Sequence, residues 1–134
     1  MTLVDTSAWV EYLRASGSTT HEAVRDLIST DAPMHTTEVV VMEVLAGARD
    51  EMHSKDLRRL LTRCELVPIA GFSDYEDAAS LYRRCRRGGE TVRALNDCLV
   101  GAVAIRADLD LLHQDRDFEV LARHCPLRLH LDLG

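Results

Sequence analysis

Apolar positions along the chain switch between short runs and helical spacing. Thr2 to Asp5 reads as a short buried strand, followed by Thr6-Ser7, either of which can cap a helix carrying Trp9, Val10 and Leu13. Thr19-Thr20-His21-Glu22 offers a capping box ahead of Val24, Leu27 and Ile28. Pro33 then stops that helix and opens an extended piece from Met34 to Thr37. Val39-Val40-Val41 pulls two ways: its β-branched residues favour strand, while Met42 to Ala46 with Gly47 behind them favour helix. Leu57, Leu60 and Leu61 mark another amphipathic helix, and Glu65 to Ile69 a short strand with Pro68 near its end. A helix from Asp74 to Arg87 is closed by Gly88-Gly89, and a second runs from about Val92 to Ala107 with Leu95, Leu99, Ala102 and Val103 on one face. Asp110 to His113 predicts a strand, Phe118 to His124 a helix and Leu127 to Leu131 a last strand.

Strands separated by helical segments imply a parallel sheet covered on both faces, an α/β sandwich of about five strands. A chain of 134 residues supports one such core and not two, so residues 1–134 are expected to form a single domain. No internal repeat, long linker or stretch of about 18 apolar residues appears. A charge at Asp5 interrupts the N-terminus before any signal-like run develops, and a cytoplasmic protein is expected. Cys64, Cys85, Cys98 and Cys125 are scattered without a C-x-x-C pair and read as free thiols. The formal charge of -6 argues against a basic coat for nucleic acid, but the positive side is nearly all arginine, suited to bidentate phosphate contacts.

Sheets of this kind place their chemistry outside the carboxyl ends of the strands. Asp5 ends the first strand, and Asp115 and Asp117 follow a late one, so acids distant in sequence converge if those strands are neighbours. Asp97 lies about 200° around its helix from Leu95, off the apolar stripe, and Glu43 sits among Val40, Val44 and Leu45. A carboxylate there is costly unless paired, hydrated or metal-bound. Taken singly each acid has an ordinary alternative: Asp5 as a helix cap, Asp97 or Glu43 facing solvent, Asp117 capping the helix of Phe118.

Together, Asp5-Thr6-Ser7, Glu43-x-x-x-Gly47, Asp97 leading Cys98-Leu99-Val100-Gly101-Ala102-Val103-Ala104, and Asp115-Arg116-Asp117-Phe118 resemble the PIN-domain ribonucleases. Within them the chain resembles the VapC toxins of VapBC toxin-antitoxin modules, from Leu3 to Leu131 in the expected order and spacing. The resemblance implies a three-layer sandwich with parallel strand order 3-2-1-4-5, and makes the valine run helical. It assigns catalysis and metal binding to Asp5, Glu43, Asp97 and Asp115, with Asp117 a fifth ligand and Thr6 or Ser7 in support. Where many members carry a hydroxyl residue two positions before the D-x-D-F block, this chain has His113, which could orient a carboxylate, touch a phosphate or shift the pH dependence. Asn96 is a further supporting amide.

An all-oxygen site selects Mg²⁺ or Mn²⁺ over Zn²⁺, because it contains no thiolate. Such a site suits phosphodiester hydrolysis by metal-activated water, and the resemblance implies that the substrate is structured RNA such as tRNA or rRNA, cut endonucleolytically. Arg83, Arg84, Arg86, Arg87 and Arg93 are candidate RNA contacts, though a run of charge at a helix end also suits a solvated face and complements the helix dipole. The resemblance further implies a VapB antitoxin and a homodimer. Trp9, Val10 and Leu13 either pack inward or line the antitoxin groove. A receiver-type phosphoacceptor would need a site lysine, and Lys55 is the only lysine; a haloacid-dehalogenase-like phosphatase would need an acid where Ser7 stands. A catalytically degenerate scaffold acting as a binding module would have lost acids that this chain keeps.

Overall fold

A computed structural model of the protein describes residues 1–130. It contains β1 (Thr2–Val4), α1 (Thr6–Leu13), α2 (Thr19–Ser29), β2 (Met34–Thr36), α3 (Glu38–Ala46) and α4 (Glu51–Leu61), then β3 (Glu65–Leu66), α5 (Gly71–Arg87), α6 (Leu95–Arg106), β4 (Asp110–Leu112) and α7 (Arg116–His124). The sheet is wholly parallel in the order β3-β2-β1-β4, with Leu3 opposite both His35 and Leu111. β1 is buried along its whole length, as a central strand covered on both faces must be.

Right-handed crossovers put connections that step towards β3 on one face and those that step towards β4 on the other. The packing agrees: α1 lies against α2 and α3, α3 against α4, and α5, α6 and α7 against one another. Trp9, Phe118, Leu3, Leu111 and Leu121 are among the large side chains fully enclosed. The four cysteines are free thiols.

Among the described residues the expected fifth strand contributes a single bridge between Leu111 and Leu129, where the Leu111 N–H donates to the Arg128 carbonyl at 2.9 Å. Pro126 has no N–H to extend that ladder backwards, and Leu131 lies outside the described residues. Pro68 likewise cuts β3 to two residues, after Val67 N–H reaches Thr36 O at 2.8 Å. The valine run is helical in α3, where Val39, Val40 and Val44 are buried, so packing overrides β propensity. Of the cap readings for α1, the structure takes Asp5 in place of Thr6 or Ser7, and Ser18 rather than Thr19 caps α2 by accepting from His21 N–H at 3.0 Å.

Candidate active site

β1 and β4 are neighbours on either side of the point where strand order reverses, so the chain leaves both towards one crevice. Asp5 lies at the mouth of β1, fixed by its N–H to Leu112 O at 2.9 Å. Its Oδ2 accepts from Ser7 N–H at 2.9 Å and Ser7 Oγ at 2.6 Å. Its Oδ1 is buried with no hydrogen-bond partner among the described residues. Burial raises this carboxyl to about 6; the Ser7 bonds oppose the rise and the Glu43 charge adds to it.

Asp97, in the first turn of α6, is buried on the other side of the crevice. Carboxylate oxygens of Asp97, Asp115 and Asp117 all lie within 4.8 Å of one another. Burial, then the bond to Asp117, then the charges of Asp5, Asp115 and Asp117 push Asp97 up to about 9, so at neutral pH it keeps its proton and donates to Asp117. Asp115 caps α7 by accepting from Asp117 N–H at 2.9 Å, and its own N–H donates to His113 Nδ1 at 3.0 Å. His113 therefore orients the loop that carries Asp115, and its ring packs against Phe118 with centroids 5.4 Å apart.

Asp117 does more than join the cluster, and it does not cap its own helix. Its two oxygens accept from Arg93 N–H and Ala94 N–H, each at 3.0 Å, at the start of α6, whose N-cap Ala94 has no capping side chain. Burial alone would raise this carboxyl, but those bonds, the proton from Asp97 and the Arg93 charge hold it below the usual range. Asp117 thus ties the α6 end that bears Asp97 to the helix that Asp115 caps.

Glu43 stands beside Asp5 instead of in the three-carboxylate group, with Oε1 accepting from Thr6 Oγ1 at 2.8 Å. Asn96 is exposed and makes no hydrogen bond among the described residues. Of the candidate arginines, Arg93 reaches the site through its backbone and charge, whereas Arg84 lines a separate cavity with Ala102, Ile105 and Pro126. Arg83, Arg86 and Arg87 are exposed at the end of α5, Arg86 over the Tyr82 ring at 5.7 Å.

Three features carried no signal in the sequence pattern. Gln114 N–H donates to Ser7 Oγ at 2.9 Å, linking the β4 loop to the residue that holds Asp5. Buried Thr20 meets His113 O at 3.1 Å and Gln114 Oε1 at 2.7 Å. Glu90 takes Arg123 at 2.6 Å and His124 at 2.9 Å, which pull its carboxyl down to about 2 and fasten the 88–94 loop to α7. Ion-pair partners far apart in sequence leave no periodicity to read.

The donor set is oxygen only, crowded and partly orphaned. Two carboxylates about 4 Å apart repel by about 4 kcal/mol at an effective dielectric of 20, and such a set fits a hard divalent cation. The arrangement as a whole suits phosphoryl chemistry by positioning and charge, with no serine or cysteine nucleophile required.

A PIN-domain family model matches residues 2–124. The chain is 45% identical over 124 residues to Ribonuclease VapC11 of Mycobacterium tuberculosis and equally to a VapC ribonuclease of Mycobacterium bovis, covering 92% of each chain. Among solved structures it resembles VapBC2 from Rickettsia felis bound to a promoter DNA fragment (TM-score 0.74, 16% identity, 96% of both chains). It also resembles Mycobacterium tuberculosis VapC20, described as a Sarcin-Ricin loop cleaving toxin (TM-score 0.68, 21% identity, 96% of this chain and 99% of that one).

Proposed function

The chain belongs to the PIN-domain family and, within it, to the VapC ribonuclease toxins, and on that premise we propose that residues 1–134 form one domain that cuts structured RNA, tRNA or rRNA, at the acidic crevice. The observation that carries this reading is the meeting of Asp97, Asp115 and Asp117 within 4.8 Å, near enough to the buried Asp5 for its charge to act on Asp97. Asp5, Glu43, Asp97 and Asp115 are the acids that would hold Mg²⁺ or Mn²⁺. A bound cation supplies Lewis acidity towards water and the phosphodiester.

The chain's own groups do the rest. Ser7 holds Asp5 by two bonds and leaves Oδ1 for a ligand; Thr6 holds Glu43 by donating to its Oε1. Asp97 must release the proton it shares with Asp117 before it can serve as a ligand, and Asp117 can take up the resulting strain because two N–H groups stabilise its charge. Arg93 and the exposed arginines of α5 offer the positive charge that brings a polyanion to an acidic pocket.

Beside Glu43 a groove of about 490 Å³ runs over Val10, Leu13, Val44 and Leu57, with Arg14 and Arg49 along it. We read it as the seat of a VapB segment, an apolar stretch that delivers a basic side chain to Glu43, and we expect the toxin to form a homodimer. The solved neighbours include toxin-antitoxin complexes from Klebsiella pneumoniae and Rickettsia felis. Sequencing RNA ends after brief expression tests the substrate: new 5′-phosphate ends at a few sites in tRNA or rRNA, absent with Asp5→Asn, are expected, and end profiles identical for the two proteins would refute it.

A further inference from the structure

Just outside β4 a cavity of about 430 Å³ opens against Asp115, between the start of α2 and the first turn of α7. The hydrocarbon of Leu111 and Leu129 lines it, while Thr19, Gln114, Arg116 and Glu119 supply polar groups. That volume suits one nucleotide, and its place beside Asp115 puts an occupant next to the phosphate to be cut. From this geometry we infer that the cavity holds the nucleoside adjoining the scissile phosphate and selects guanine, with Gln114 and Glu119 as its specificity residues. The inference deepens the ribonuclease reading above and rests on it.

The hydrogen-bonding inventory makes the choice. Thr20 Oγ1 lies 2.7 Å from Gln114 Oε1, which leaves the Gln114 NH₂ with no partner among the described residues and two hydrogens to donate. Glu119 is exposed and offers a carboxylate that makes no hydrogen bond among the described residues. The Watson–Crick edge of guanine carries an acceptor, O6, beside two donors, N1–H and the N2 amine. Only guanine gives a carboxylate two parallel N–H groups and the amide an adjacent carbonyl. Uracil offers a single N–H, adenine a single amine beside an acceptor, and cytosine places its amine beside two acceptors.

Two further contacts connect this base to the chemistry. Gln114 N–H donates to Ser7 Oγ, which donates to Asp5 Oδ2, so the residue reading the base is one hydroxyl away from a candidate ligand. Arg116, paired with Glu90 only at 3.9 Å, has donors to spare for the nucleotide's phosphate.

The test titrates the full-length protein in chelator with 5′-GMP, IMP, AMP, CMP and UMP, following the Gln114 side-chain amide by NMR. All five ligands carry the same phosphate, so differences report the base. GMP is expected to bind at least about tenfold tighter than AMP, CMP or UMP, with IMP, which lacks the N2 amine, in between. Glu119→Gln should reduce the GMP advantage to within about threefold while leaving AMP affinity as it was, a control that the variant is folded. Equal affinities, or shifts that bypass Gln114, would overturn the assignment. Base selectivity lost while Mn²⁺-dependent RNA cleavage persists retires the guanine pocket alone; selectivity kept in a protein that cuts no RNA retires the nuclease reading instead.

Discussion

Asp97 and Asp117 sit in one cluster yet respond to removal in opposite ways. Asp97 is held protonated by burial and by its acidic neighbours, so Asp97→Asn, which keeps a donor towards Asp117, should raise the melting temperature of the metal-free protein at neutral pH. Asp117→Ala strips two N–H groups of a charged acceptor at the start of α6 and should cost about 2 kcal/mol or more, read from denaturant midpoints. Both Asp5 and Asp97 have carboxyls raised above their unfolded values, so the folded chain binds protons that the unfolded chain has released. Stability in chelator should therefore fall as pH climbs from about 4, first through the Asp5 value of about 6 and then towards the Asp97 value of about 9. Thermal melts across that range check the sign, and a rise in stability would contradict it. The acids themselves were legible in the sequence because Asp5, Asp115 and Asp117 follow strands and Asp97 and Glu43 sit in otherwise apolar helices. The division of labour between Asp97 and Asp117 was not, because a capping acid and a ligand look alike until the N–H groups they meet are known.

At the scale of elements, the crevice depends on how the 88–94 loop returns from α5 to α6. Glu90 anchors it to Arg123 and His124 on α7, and Gly88 lies so close to the His124 ring that a Cβ would overlap it. Gly88→Ala should displace His124, loosen the Glu90 clamp and lower stability by about 1 kcal/mol or more, with weaker cleavage because the loop bears Arg93 and Ala94. A variant as stable and active as the parent would show that the clamp is incidental. Gly88-Gly89 marked the helix end in the sequence, but its packing against α7 depends on a contact between residues far apart in the chain. The short strands show the same limit: Pro68 cuts β3 to less than the apolar pattern suggested. The order of strands came from the family resemblance, because the hand of the crossovers fixes which face each connection covers and leaves the order open.

Over the whole molecule, a charge of -6 first argued against a nucleic-acid partner. Setting aside the five acids of the crevice region leaves the remainder nearly neutral, and a bound cation inverts the local sign. Arg83, Arg86 and Arg87 stand exposed at the end of α5 without ion pairs among the described residues. Arg86→Glu with Arg87→Glu should weaken RNA binding and reduce the salt slope by about 2, leaving melting curves with and without Mn²⁺ unchanged. No helix among the described residues is long and apolar enough to cross a membrane. The central claim is that the convergent carboxylates make this chain a metal-dependent ribonuclease. Its most direct test is RNA cleavage by purified protein over a Mn²⁺ titration beside Asp97→Asn: cleavage that rises with the metal, vanishes in chelator and is lost in the variant is predicted, whereas equal cleavage by the two proteins, or cleavage indifferent to chelator, would contradict it.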